Sequence, residues 1–257
     1  MALLEYTKED RTAIFTINRP EAMNALNPQT LKEFHEAMVE FKNDPEVWVG
    51  IITGAGDRAF CAGADIGETL PSLKKPTETP WLAPSVHMRG FDLWKPLIAA
   101  INGMALGGGL EVALACDIRI CSERARLAFP EVTLGLLPGW GGTQRLPRMI
   151  PWSKACEMLL MGRLIKADEA YRIGLVNIVL PPEEVMDTAK LWARIICEAG
   201  PLAVRACKEA MYRGASMPLE DGLRLECSLN TYLATTDDFE EGVSAFLEKR
   251  KPAYKGK

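Results

Sequence analysis

The stretch Ile98-Ala99-Ala100-Ile101-Asn102-Gly103-Met104-Ala105-Leu106-Gly107-Gly108-Gly109-Leu110-Glu111 decides how this chain is read. Its first residues form an apolar run of strand length. Asn102-Gly103 reads as a turn, and three consecutive glycines then open a helix. Glycine has no Cβ, so a ligand can approach the backbone there. The first amides of a helix lack intrahelical partners and point outward, and the helix dipole favours negative charge beside them. Such a turn can hold an oxyanion. It can equally hold a phosphate or serve only tight packing. Gly103-x-x-x-Gly107-Gly108 is not the dinucleotide spacing, and no P-loop lysine follows.

Working outward, the pattern is α/β. Thr12–Ile17 is rich in β-formers and ends at Asn18-Arg19-Pro20. Asn27-Pro28 predicts a helix start, with Leu31, Phe34, Met38 and Phe41 forming one apolar stripe. Val47–Ile52 reads as a strand ended by a turn at Gly54–Asp57, and Leu97–Ile101 and Ile118–Ile120 as further strands. Between Gly67 and Lys95 the chain holds Pro71, Pro76, Pro80 and Pro84, predicting a long loop with a short helix near Val86–Leu93. Loops of that length are usually functional or disordered, and this one is placed to cover a substrate. After Pro151 the pattern turns mostly helical. Pro201 and Gly214 bracket one helix, Pro218 opens another, and Asp237 is expected to cap the last. The organisation expected is an α/β core over residues 1–200 and a helical region over 201–257.

Composition narrows the function classes. With 48% hydrophobic and 25% charged residues over 257 positions, the chain can bury a core without disulfide staples. A net charge of −4 gives no electrostatic footprint for nucleic acid; Lys249-Arg250-Lys251 reads as a solvated run. Seven cysteines, none in a Cys-x-x-Cys pair, read as buried reduced thiols of a cytoplasmic protein. Two histidines, His35 and His87, exclude a His-rich metal site. No signal peptide and no membrane-length apolar run are visible.

Two carboxylates stand near the glycines. Glu111 lies in the first turn of the helix, where an acid also complements the dipole. Glu131 follows Pro130 among apolar neighbours, as a surface turn acid or as a desolvated carboxyl of raised pKa. If both face one cleft, repulsion helps keep one protonated, giving an acid and a base side by side. A second loop of small residues, Phe60-Cys61-Ala62-Gly63-Ala64-Asp65-Ile66, could supply another amide.

These segments, with Asn18-Arg19-Pro20 through Asn24-Ala25-Leu26, Pro138–Leu146 and Gly242–Arg250, resemble the crotonase (enoyl-CoA hydratase/isomerase) family along essentially the whole chain. The resemblance implies a ββα spiral core and a C-terminal helical region that builds trimers, often paired into hexamers. It implies an acyl-CoA thioester substrate, whose thioester is itself the electron sink, so no separate cofactor or metal is expected; charge and hydropathy add the expectation of no nucleic-acid or membrane partner. By motif position, the Ala64 and Gly108 amides form the oxyanion hole, and Glu111 and Glu131 are catalytic. Ala62, Ala64, Asp65, Ile66, Gly67 and Gly108 contact CoA or the acyl group, and Phe246 and Lys249 reach a neighbouring subunit's CoA. Two glutamates favour hydration of the 2,3 double bond; isomerases of similar sequence typically work with one. The alternatives are an isomerase, a specialised hydro-lyase for branched or cyclic acyl groups, and a non-catalytic RNA-binding or scaffold member. Trp140 stands where many family members carry a smaller residue. With Trp81 and Trp94 it either narrows an acyl pocket or serves the core.

Overall fold

The computed structural model describes residues 2–72, residue 88 and residues 91–257. Most of the expected loop and short helix between Gly67 and Lys95, with Trp81 and His87, lies outside the described residues.

Strands pass alternately to two sheets. β1 (Leu4–Glu9) and β2 (Thr12–Ile17) form an antiparallel pair, and β2 runs parallel to β3 (Val49–Gly54). After β3, the chain enters a second sheet as β4 (Ala59–Cys61). It returns to the first as β5 (Leu97–Ile101), then β6 (Met104–Leu106) joins β4. β7 (Ile118–Ser122) and β8 (Arg126–Ala128) repeat the step. β9 (Ile165–Lys166) and β10 (Ile178–Leu180) close the sheets, whose orders are β1-β2-β3-β5-β7-β10 and β4-β6-β8-β9. Three successive turns thus each contribute one strand to each sheet, the winding of a ββα spiral.

The first sheet is covered on both faces, which is why its parallel strands read as unbroken apolar runs. Alternate residues divide between the faces. Ile51, Ile98, Ala100 and Ile120 pack with Val185, Ala189 and Ala193 of α7 (Val185–Cys197). Ile52, Leu97, Ala99 and Ile101 join the main core with Phe34, Met38 and Phe41 of α1 (Pro28–Asn43). The Asn27 side chain accepts the Thr30 N–H at 2.8 Å, capping α1 as its sequence requires.

The strand expected at Val47–Ile52 starts two residues later and runs through Gly54, so the turn begins past that glycine. Sequence reading also missed β4, β6, β8, β9 and β10; each has two or three residues, too few for a period-two pattern to emerge. Among the described residues, four short helices precede the tail: α2 (Thr69–Ser72), α4 (Gly142–Met149), α5 (Trp152–Met161) and α6 (Ala167–Arg172). Another, α3, belongs to the site described below. The last three are α8 (Pro201–Gly214), α9 (Leu219–Leu233) and α10 (Asp237–Glu248). The cap of α10 is Thr236, whose hydroxyl accepts the Phe239 N–H, and not Asp237, which sits inside the first turn. α9 buries no residue, and Leu219, Phe246 and Leu247 are among the most exposed apolar side chains.

All seven cysteines are free thiols. Cys61, Cys116 and Cys121 are buried as expected. Cys156 is half-buried, while Cys207 and Cys227 are exposed, because they lie on outward faces of α8 and α9. No helix among the described residues is long and apolar enough to cross a membrane.

Candidate active site

Three glycines in a row each leave room for a different neighbour. Gly107 caps α3 (Gly108–Leu114) with φ +52°, and a Cβ there would stand 2.7 Å from Oε1 of Glu131. A Cβ on Gly108 would overlap the Trp140 indole, and one on Gly109 would overlap the Cys61 carbonyl. The triplet therefore brings together an acid, an aromatic ring and the second small-residue loop.

That second loop is held by strand-like pairing. The Leu26 N–H donates to Gly63 O at 2.8 Å, and the Asp65 N–H donates to Leu26 O at 3.0 Å. Successive N–H groups of an extended chain point in opposite directions, so the Ala64 N–H faces away from Leu26. Neither Ala64 nor Gly108 donates a main-chain hydrogen bond among the described residues. The two loops touch: a Cβ on Gly63, where φ is +96°, would lie 3.1 Å from Gly108 N. Two amides without a main-chain acceptor among the described residues thus sit on adjoining loops.

The Asn-Arg-Pro segment supports this arrangement. Arg19 Nη1 donates to Ala25 O at 2.5 Å and pairs with Asp65 Oδ2 at 3.0 Å. Asn24, with φ +57°, accepts the Arg19 N–H and donates to Ala55 O and Ala59 O. Asp65 Oδ1 accepts the Gly67 and Glu68 amides. Burial would raise the Asp65 pKa, but the Arg19 guanidinium and those amides outweigh it and hold the carboxylate below its ordinary range. The Asp65 side chain is thus committed to the loop itself. Ile66, by contrast, is 65% exposed beside it.

The two glutamates differ in environment. Glu111 is 2% exposed, and its Oε1 accepts the Trp140 N–H at 2.6 Å and the Gly142 N–H at 2.7 Å. Two N–H donors on one oxygen suit an ionised, acceptor-only carboxylate. Glu131 lies in a 3-10 turn over Pro130–Leu134, and its buried Oε2 has no hydrogen-bond partner. Burial, with a smaller contribution from the Glu111 charge, pushes the Glu131 pKa up to about 7. Side by side, one carboxyl is equipped to be charged and the other to carry a proton.

Sequence reading singled out both acids and both amides. It treated Pro138–Leu146 only as a hallmark and so missed that this loop holds Glu111. The signal was present: Gly139, Gly141 and Gly142 flank another helix start, and Gly141 has φ +116°. Trp140 is 8% exposed and rests on Gly108, so it belongs to the site. Trp94 instead stacks under Arg213, 5.1 Å from ring centre to guanidinium. Phe246 lines an apolar groove of about 420 Å³ with Leu202, Leu233, Phe239, Val243 and Leu247, while Lys249 closes α10 at φ +55°. Neither joins the glutamates within one chain. No group of three or more His, Cys, Asp or Glu suited to a metal ion occurs among the described residues.

The model of the enoyl-CoA hydratase/isomerase family matches residues 7–257. The short-chain-enoyl-CoA hydratase of Clostridium acetobutylicum is 46% identical over 249 residues, 95% of this chain and 94% of that protein. The (E)-benzylidenesuccinyl-CoA hydratase of Thauera aromatica is 43% identical over 247 residues, 96% of each. The crystal structure of an enoyl-CoA hydratase from Bacillus anthracis superposes with a TM-score of 0.91 at 39% identity, covering 99% of this chain and 100% of that one. Fold, loop placement and sequence agree, and the chain belongs to the enoyl-CoA hydratase/isomerase family.

Proposed function

We propose that this enzyme adds water reversibly across the 2,3 double bond of a 2-enoyl-CoA thioester, with Glu111 as base and Glu131 as acid. The observation that carries the reading is the Glu131 carboxyl: desolvated, unpartnered at Oε2 and close to an amide-held Glu111. A carboxyl kept protonated near neutrality can give a proton to carbon, which a surface glutamate cannot do.

Water attacks C3 while ionised Glu111 takes its proton. The electron pair of the double bond moves toward the thioester oxygen, giving enolate character. The Ala64 and Gly108 amides, which donate no main-chain hydrogen bond among the described residues, stabilise that charge; one such donor is typically worth about 2.7–4 kcal/mol of barrier. Glu131 then donates to C2. Each turnover leaves Glu111 protonated and Glu131 ionised, so one proton must pass back before the next. The thioester itself is the electron sink, so the chemistry calls for no metal or redox group. Ala62, Ile66 and Gly67 extend the Ala64 loop along the CoA, where exposed Ile66 offers an apolar contact.

The apolar face of α8–α10 supports self-association into a trimer or hexamer, in which Phe246 and Lys249 reach the CoA of a neighbouring copy. Seven free thiols suit a reducing, cytoplasmic setting.

The test is loss of the conjugated enoyl-thioester absorbance with crotonyl-CoA. Glu111→Gln and Glu131→Gln should each lose about 10²–10⁴-fold in turnover while retaining acyl-CoA binding. Near-normal turnover from either variant ends the two-carboxylate model. A 3-enoyl thioester gaining absorbance in its place would make the enzyme an isomerase.

A further inference from the structure

The loop that holds Glu111 is gripped from its other side. The Trp140 and Gly142 N–H groups converge on Glu111 Oε1, while the first carbonyl between them, Trp140 O, bonds elsewhere. That carbonyl accepts Arg145 Nη1 at 3.1 Å. Arg145 Nη2 donates to the carbonyl of Met88, a residue only 1% exposed. The guanidinium lies directly over Gly141, where any Cβ would overlap Nη1. The Gly141 carbonyl in turn accepts the Gln144 and Arg145 amides at 3.0 and 2.8 Å, fixing the start of α4. The peptide planes that aim both amides at Glu111 are therefore clamped by one side chain with a flat, forked donor set.

We propose that Arg145 is a positioning residue for Glu111: it fixes the 139–142 loop so that two amides meet one carboxylate oxygen, and it supplies a half-buried positive charge near that carboxylate. The inference rests on the assignment of Glu111 as base.

Among the described residues, Glu131 from the 3-10 turn and Arg145 from α4 are charged or titratable groups that face Glu111. Arg145 faces Glu111, Tyr212 of α8 and Cys116 just beyond α3. Burial raises the pKa of both the Cys116 thiol and the Tyr212 phenol, so both stay neutral at pH 7. Arg145 remains protonated even when desolvated, because guanidinium does not lose its proton in proteins. Its charge therefore acts on Glu111 without being cancelled by those two neighbours.

The experiment measures kcat, KM and the pH profile of kcat for the full-length enzyme with crotonyl-CoA. Arg145→Gln should lower kcat by about 10²-fold, a loss that a 1 Å misplacement of reacting groups can cause, with KM little changed. Its acidic limb should move to higher pH, because the cation that favours ionised Glu111 is gone. Arg145→Lys keeps the charge and loses the fork, so the limb should stay in place while kcat falls about tenfold. A purely structural role would lower the melting temperature and leave the limb fixed in Arg145→Gln. That result, or normal kcat in either variant, overturns the proposal; Arg145→Lys alone suffices if Arg145→Gln does not fold. Glu111→Gln, measured alongside, separates the two failures. If Glu111→Gln is active, the base assignment falls. If it is inactive while both Arg145 variants turn over normally, only the positioning role falls.

Discussion

The Glu131 carboxyl rests against the backbone of Gly107, and nothing larger than hydrogen fits between them: a Cβ on Gly107 would lie 2.7 Å from Oε1. Gly107→Ala should therefore push the carboxyl out of place, and it also forces a side chain into φ +52°. The expected result is a loss of turnover within the roughly 10²–10⁴-fold range of a general acid. Stopped-flow or steady-state hydration assays would measure it. Full activity in Gly107→Ala would mean that Glu131 need not sit where it does.

The pH profile follows from the pair. In the proposed mechanism hydration uses ionised Glu111 with protonated Glu131, and dehydration uses the reverse arrangement of the same single proton. Both directions thus need the pair singly protonated, so their kcat/KM profiles should superpose as one bell, with rates falling as pH rises above about 7. The apparent values belong to the coupled pair and not to either residue. Profiles that differ between directions, or that stay flat through neutrality, would contradict the assignment.

Stability should move the opposite way from activity in Glu131→Gln. In the native enzyme Glu131 holds its proton up to about pH 7, whereas in the unfolded chain it ionises near its ordinary value of 4.5. Between those values the native state binds more protons than the unfolded state, so stability falls as pH rises. The Gln variant lacks that loss. After discounting for partial exposure, it should gain about 1 kcal/mol, or about 2–4 °C, by pH 7, with the gap closing toward pH 4.5. Calorimetry across that window would test it; a gap that does not depend on pH would show that Glu131 ionises freely in the fold.

Much of this was legible in the sequence for physical reasons that can be named. The Ile98–Glu111 stretch encodes a buried strand, a turn and a helix start in consecutive residues, so one reading located the glycine turn and Glu111 together. The Ala64 loop was legible as small residues. Why its amide makes no main-chain bond among the described residues was not, because that depends on Leu26 pairing with Gly63 and Asp65 from a distant segment. Arg145 escaped notice for a similar reason: its partners are carbonyls, and carbonyls leave no mark on composition. The cap of α10 was misplaced by one residue because Thr236 and Asp237 are both good caps, and only the Phe239 contact separates them.

That the two amides proposed to hold the thioester carbonyl belong to the backbone has an evolutionary consequence. A peptide nitrogen keeps its hydrogen under every substitution except proline, so mutation at Ala64 or Gly108 can alter fit far more easily than it can delete a donor. Side chains such as Glu111, Glu131 and Trp140 carry no such insurance. Drift in this lineage should therefore reshape which thioester is accepted, and what is done to it, long before it erodes the capacity to polarise one.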